Sequence, residues 1–100
     1  MRSGRSSAVP KPVELGREAA KAAIRAKIIE LARALKMDAT SLAEADIIPA
    51  SGLLDSTAIL ELVTWYEQHF GIELPQSEIN IDNLGSIDAM ANFLFLRKNA

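Results

Sequence analysis

Residues 52–75 read GLLDSTAILELVTWYEQHFGIELP and predict one amphipathic helix of about four turns. At about 100° per residue, one face of this helix carries five apolar side chains: Ile59, Leu62, Val63, Tyr66 and Phe70. Asp55 and Ser56 stand at the start of the helix, where short oxygen-bearing side chains cap free backbone N–H groups. Gly71 ends the helix and Pro75 prevents an immediate restart.

The Asp55–Ser56 pair has two interpretations. In the simpler one it is a helix cap and nothing more, because capping is what these residue types commonly do. In the second, the serine carries a phosphodiester, since the dipole and the unpaired N–H groups at a helix N-terminus favour an anion there. The dipeptide alone does not decide between them.

The surroundings of the pair resemble the acyl carrier protein family, including the D-alanyl and related stand-alone carriers. The resemblance is carried by GLLDS at 52–56 and by FGIELP at 70–75, with Phe70 fourteen positions after the serine, and it extends over roughly residues 14–96. It implies that Ser56, beside Asp55, is esterified by 4′-phosphopantetheine, which a phosphopantetheinyl transferase takes from coenzyme A. The implied function is to carry acyl or aminoacyl groups for fatty-acid, polyketide or related specialised biosynthesis, with no catalytic residue of its own.

The resemblance also implies where partners and cargo would bind. Acyl-loading enzymes and acyl-transfer or condensing enzymes would dock at the Ser56 end of the helix and contact Leu60, Glu61 and Glu67. Between these encounters the acyl chain would lie against the core, near four side chains: Val63, Tyr66, Ile79 and Ile81.

Two positions depart from the family pattern. Thr57 stands where most members have leucine or methionine, and Ala58 stands where an acidic residue is common. Because these positions face partner enzymes in the family, the departure concerns which enzymes dock and not the attachment itself. Together with the long basic first helix, it favours a specialised carrier.

Length and composition bound the remaining possibilities. One hundred residues with 49% apolar side chains suit a single small domain with one core. The lack of cysteine excludes disulfides and thiolate metal sites, and with His69 as the single histidine a multi-histidine metal site is excluded too. No apolar run reaches about eighteen residues, and no apolar block follows Arg2 and Arg5. We therefore expect a cytoplasmic monomer with neither a membrane span nor a secretory signal.

Charge is divided unevenly along the chain. Residues 1–36 carry a net charge of +6 and residues 37–100 carry −8, which together give the overall −2. The acidic part is expected to attract enzymes with basic docking surfaces and to repel nucleic acid.

The predicted fold is all-α: an antiparallel four-helix bundle with three longer helices, one short helix and a long first crossover loop. Residues 1–12 are predicted to be a disordered tail and residues 13–98 the helical bundle. The first helix, about 13–36, is expected to be well formed from nearer Arg17 because Gly16 weakens its first turn. Its apolar stripe consists of Ile24, Ile28, Leu31 and Leu35.

The rest of the chain is expected to complete this bundle. The connection over residues 37–54 should be pinned across the core by its apolar side chains, which are Leu42, Ile47, Ile48, Leu53 and Leu54. A short helix is predicted within residues 76–84, and a last helix at about 87–98 is capped by Ser86. Its inward stripe consists of Ile87, Met90, Ala91, Leu94 and Phe95.

Two other classes of function compete with the carrier. A hydrolase would pair Ser56 with His69, but thirteen residues along one helix separate them by about 20 Å, which is too far for a nucleophile and its base. A non-covalent interaction domain would bind anions through the basic first helix and would not need Ser56.

Overall fold

A computed structural model describes the chain from residue 12 to residue 99, with its side chains from residue 16 to residue 97. The backbone over this range is helical and contains no strand, so the predicted all-α class is confirmed for it. The predicted four-helix arrangement stays a prediction. In chain order, the elements are α1 (Pro12–Ala34), α2 (Ile48–Ser51), α3 (Ser56–Phe70), a 3-10 turn (Gln76–Glu78), α4 (Ile81–Leu84) and α5 (Ile87–Asn99).

The start of α1 differs from the prediction. Helix α1 begins at Pro12, before the expected Arg17, and a proline is compatible with the first turn of a helix. Gly16 faces α5, since a Cβ at that position would lie 3.4 Å from the ring of Phe95, which is an ordinary van der Waals distance. Most of the predicted tail, residues 1–11, lies outside the described residues.

The core forms where α1 packs against α5 and α3. Ile24, Ile28 and Leu31 are buried as the stripe predicted, but Leu35 is 39% exposed. The prediction for Leu35 was wrong because α1 ends at Ala34 and the chain then reverses through Lys36, whose φ is +62°.

Polar contacts fasten the connection between α1 and α3 to the helices around it. The Arg25 guanidinium donates to the carbonyl of Leu42 over 2.7 Å, and the Lys21 ammonium lies 3.1 Å from the Glu44 carboxylate and 3.6 Å from that of Asp88. The hydrogen bond with Glu44 is the largest cause of a raised pKa at Lys21. The amide of Asp88 also donates to the carbonyl of Glu44 over 2.9 Å.

The apolar anchors of this connection are partly as predicted. Leu42, Ile48 and Leu54 are buried, whereas Leu53 is half-buried and Ile47 is 40% exposed. Ile47 points outward because it precedes α2, a four-residue helix that the sequence did not predict and that buries the next residue instead.

Two short elements replace the single short helix predicted within residues 76–84. Asn80 separates them: its backbone is extended, and its side-chain oxygen caps α4 by accepting from the amide of Asn83 over 2.9 Å. Helix α5 follows, and Ser86 caps it as predicted by accepting from the amide of Ala89 over 3.0 Å. Its predicted stripe is buried except for Phe95, which is half-buried.

Two kinds of feature are missing from the part of the chain that the structure describes. None of its helices combines the length and the apolar character that crossing a membrane requires. Its acidic and histidine side chains form no cluster of three that could hold a metal ion.

Candidate functional site

The site begins where the backbone turns into α3. Asp55 is the N-cap residue, and its Oδ1 accepts a 2.8 Å hydrogen bond from the amide of Ala58. Ser56 is the first residue of the helix and is exposed, while Leu54 is buried in the core just before it. The serine hydroxyl therefore lies on the surface, on a backbone anchored on both sides.

The electrostatics of this position suit an anion. The first amides of a helix have no carbonyl partner within it, and the dipole places partial positive charge at this end of α3. Asp55 satisfies the amide of Ala58. The exposure of Ser56 and Thr57 means that a group on the Ser56 oxygen meets solvent and not the core. The residues present thus fit a covalently attached phosphodiester.

An apolar cleft of about 180 Å³ opens beside α3. One wall belongs to α3 and the other to the segment that follows the 3-10 turn. The side chains of these two walls are Ile59, Leu62, Val63, Ile79, Ile81 and Leu84. Met90 of α5 and the Ile48–Pro49 start of α2 close the remaining sides, and the amide of Ile48 joins α2 to the end of α4 by donating to the carbonyl of Gly85 over 2.7 Å.

Three of the four residues expected near an acyl chain line this cleft: Val63, Ile79 and Ile81. The expectation for Tyr66 was wrong. Its ring is fully buried behind the cleft and its hydroxyl donates a 2.7 Å hydrogen bond to the carbonyl of Met90, so it belongs to the core.

The expected docking residues fall into two groups. Leu60 is 67% exposed and Glu61 is exposed, both within the first two turns of α3. Glu67 is half-buried, and its carboxylate accepts a 2.8 Å hydrogen bond from the amide of Leu74, so it holds the chain after α3. Ala58, expected to face partners, is 4% exposed because it lies on the buried side of the first turn.

The far end of α3 carries an aromatic group. The half-buried Trp65 stacks on His69 with 4.8 Å between ring centroids, and Phe70 meets both rings edge to face. His69 therefore lies in this group at the opposite end of the helix from Ser56. The two residues do not form a nucleophile–base pair.

Several charges of the basic first helix already have partners within the chain. Lys21 and Arg25 bind the connection after α1, and Lys27 pairs with Glu30 over 3.1 Å. Charges already paired with carboxylates and carbonyls are poorly placed to bind an external anion. These contacts weigh against the anion-binding interpretation of α1.

Several residues of the cleft were not predicted as site residues. Ile48 and Pro49 were assigned only to a pinned loop, and Ile59 only to the core face of α3. The available signal was the proline after two isoleucines, which is compatible with the first turn of a short helix. Nothing in the sequence pattern indicated that this helix would meet Ile79 and Ile81 across a cleft.

Comparison with known families gives a match over most of the described residues. The model of a family described as a phosphopantetheine attachment site matches residues 28–94, which is more than half of the chain and includes Ser56 and every side chain of the cleft. No curated protein and no solved structure matches the chain.

Proposed function

Because the chain belongs to the family of phosphopantetheine attachment-site domains, we propose that Ser56 is the residue to which its arm is attached. Domains of this family attach 4′-phosphopantetheine covalently and are typically carriers and not catalysts. When bound, the arm supplies a terminal thiol that can hold an acyl or aminoacyl group as a thioester. The chain would then be a carrier that presents such groups to enzymes of fatty-acid, polyketide or related specialised biosynthesis.

The observation that carries this proposal is the exposure of Ser56 at the first residue of a 15-residue helix. Two other serines in the matched region serve the fold, while Ser41 and Ser77 are exposed but do not begin a helix of comparable length. Ser51 donates to the carbonyl of Ile48 over 2.6 Å and accepts from the amide of Leu53, and Ser86 is buried and caps α5. Ser56 combines exposure with a helix N-terminus, the position that favours a phosphodiester.

The covalent step balances without a further reactant. The Ser56 oxygen forms a phosphodiester with the phosphorus that bears pantetheine in coenzyme A, the pyrophosphate bond breaks, and adenosine 3′,5′-bisphosphate and the hydroxyl proton leave. The transferase supplies the catalysis. The contribution of this chain is to hold the hydroxyl outside the core, next to the positive end of α3 and on a backbone fixed by Asp55.

Partner recognition is proposed for the same end of α3. Leu60 offers an exposed apolar contact one turn after Ser56, and Glu61 offers a negative charge beside it. A basic rim around an apolar pocket on an enzyme would complement this surface. Glu67 is left out of the proposed surface because its half-buried carboxylate accepts from the amide of Leu74 through Oε2 and so serves the fold.

Intact-mass measurement tests the attachment. The protein is incubated with coenzyme A and a phosphopantetheinyl transferase of broad specificity, and we expect the mass of one phosphopantetheine to be added. The Ser56→Ala variant should gain nothing. The matched control is Ser77→Ala, which removes another exposed serine hydroxyl and should leave modification complete. An unmodified wild type, or a modified Ser56→Ala variant, would overturn the proposal.

A further inference from the structure

We propose that the cleft beside α3 accepts a short, uncharged acyl chain of about six carbon atoms and does not accept an aminoacyl group. This proposal rests on the proposed function and chooses between the acyl and aminoacyl cargoes that the function leaves open. It is drawn from the polarity, the volume and the position of the cleft.

The walls of the cleft offer nothing to a charged or polar group. No charged side chain lines it, and the polar side chain that does is Asn80. Both ends of the Asn80 amide are engaged: the nitrogen donates to the carbonyl of Ser77 over 3.2 Å and the oxygen accepts from the amide of Asn83. The carbonyl of Gly85 already accepts from the amide of Ile48. An α-ammonium group in the cleft would lose its hydration and find no partner, which is a large penalty.

The volume of the cleft sets the length of the chain. A cavity of about 150 Å³ lined by apolar side chains holds a six-carbon benzene ring. At about 180 Å³, the cleft accommodates a similar number of carbon atoms. It cannot deepen cheaply, because Leu62 and Met90 are buried and the Met90 carbonyl is tied to the Tyr66 hydroxyl. Longer chains must leave their remaining carbons outside.

The position of the cleft matches the proposed attachment point. Ile59 and Val63 follow Ser56 by three and seven residues, so all three lie on the same side of α3. The cleft therefore opens along the helix face that begins at Ser56. At the edge of the cleft, Ile79 and Ile81 are 38% and 56% exposed and can cover an entering chain.

The experiment loads the protein with different cargoes and observes the cleft directly. A broad-specificity transferase attaches the arm from butanoyl-, hexanoyl-, dodecanoyl- or alanyl-coenzyme A, and intact mass verifies each product. NMR then measures the chemical shifts of the methyl groups of Val63, Ile79 and Ile81. We expect hexanoyl to shift these methyl signals relative to the unacylated arm, dodecanoyl to shift them no further, and alanyl to leave them unchanged.

A kinetic measurement gives a second readout. Cleavage of the thioester by hydroxylamine should slow from butanoyl to hexanoyl, by up to about fourfold for each methylene that enters the cleft. The rate of cleavage should then be the same for dodecanoyl as for hexanoyl. Replacement of Ile79 by Ser should abolish the difference, whereas Leu35→Ser, which alters a side chain of matching exposure outside the cleft, should preserve it.

The outcomes separate the two proposals. If no product gains mass, the proposed function fails and the cargo inference fails with it. If the products gain mass but alanyl shifts the methyl signals as much as hexanoyl, or protection continues to rise to dodecanoyl, the cargo inference alone is overturned.

Discussion

The hydroxyl of Tyr66 on α3 donates a 2.7 Å hydrogen bond to the main-chain carbonyl of Met90 on α5, within the fully buried core. Met90 also lines the apolar cleft. This hydrogen bond joins α5 to α3 through a residue that also lines the proposed cargo site. We therefore expect changes at this pair of residues to affect both stability and the shape of the cleft.

Replacing Tyr66 by Phe should lower the free energy of unfolding by about 1–2 kcal/mol. The variant keeps the ring but removes a buried hydrogen bond, while the Met90 carbonyl keeps its partner within helix α5, so the loss is that of one buried hydrogen bond. Urea denaturation followed by circular dichroism measures the change. A variant as stable as the wild type would show that the hydrogen bond adds nothing to the fold.

The same residue predicts a loss of stability at alkaline pH. Burial raises the pKa of Tyr66 above its ordinary value of 10.0. The folded protein thus keeps the phenolic proton while the unfolded chain releases it, so stability is complete below pH 10 and falls as the pH rises beyond it. The pKa of Lys21 is also raised, so this residue likewise lowers the stability of the fold as the pH rises.

Denaturation midpoints between pH 8 and about 11 measure this effect. The Tyr66→Phe variant is the matched control, because it keeps the Lys21 contribution and has no phenolic proton. Its stability should fall less steeply than that of the wild type. Parallel curves for the two proteins would contradict the assignment to Tyr66.

We expect the side chain of Asp55 to stabilise the start of α3 as a hydrogen-bond acceptor and not through its negative charge. Asp55→Ala removes the acceptor of the Ala58 amide and should reduce stability by about 1 kcal/mol. Asp55→Asn retains a capping oxygen and should remain close to the wild type. Thermal unfolding compares the two. If both variants lose the same stability, the carboxylate acts through its charge and not through the cap.

Glu67 should prove structural and not part of the docking surface. Glu67→Ala frees the Leu74 amide and should lower the free energy of unfolding by about 1 kcal/mol, while Glu67→Gln keeps an acceptor and should have a smaller effect. Both variants should be modified by the transferase at the wild-type rate. A Glu67→Gln variant with normal stability but slower modification would indicate that Glu67 belongs to the docking surface.

The local features of the site were predictable because they depend on neighbours a few positions apart. The capping pair Asp55–Ser56 predicted the start of α3, the period of the apolar residues predicted its inward face, and Gly71, at a φ of +67°, ends the helix as expected. Its conformation lets the amides of Gly71 and Ile72 both donate to the Glu67 carbonyl. The two interpretations of Ser56 came from the same local pattern and from its resemblance to a family.

The errors arose where a residue's neighbours are distant in sequence. Tyr66 and Val63 share the apolar face of α3, yet one is sealed behind Met90 and the other lines the cleft. Ala58 was expected at the surface and is buried, and Ile47 was expected inside and is exposed. In each case, periodicity defined a face but not which element would cover it.

The sequence by itself determined the helical class, the position of α3 and the place of Ser56 at its N-terminus, because helix periodicity and capping act within a few residues. Only the tertiary structure decided that Ile48, Val63 and Ile81, from three separate elements, would enclose an apolar cleft. The physical reason is that a cleft is the space left between packed elements. Its size and polarity depend on long-range contacts such as those of Tyr66 with Met90 and of Ile48 with Gly85, which no local pattern specifies.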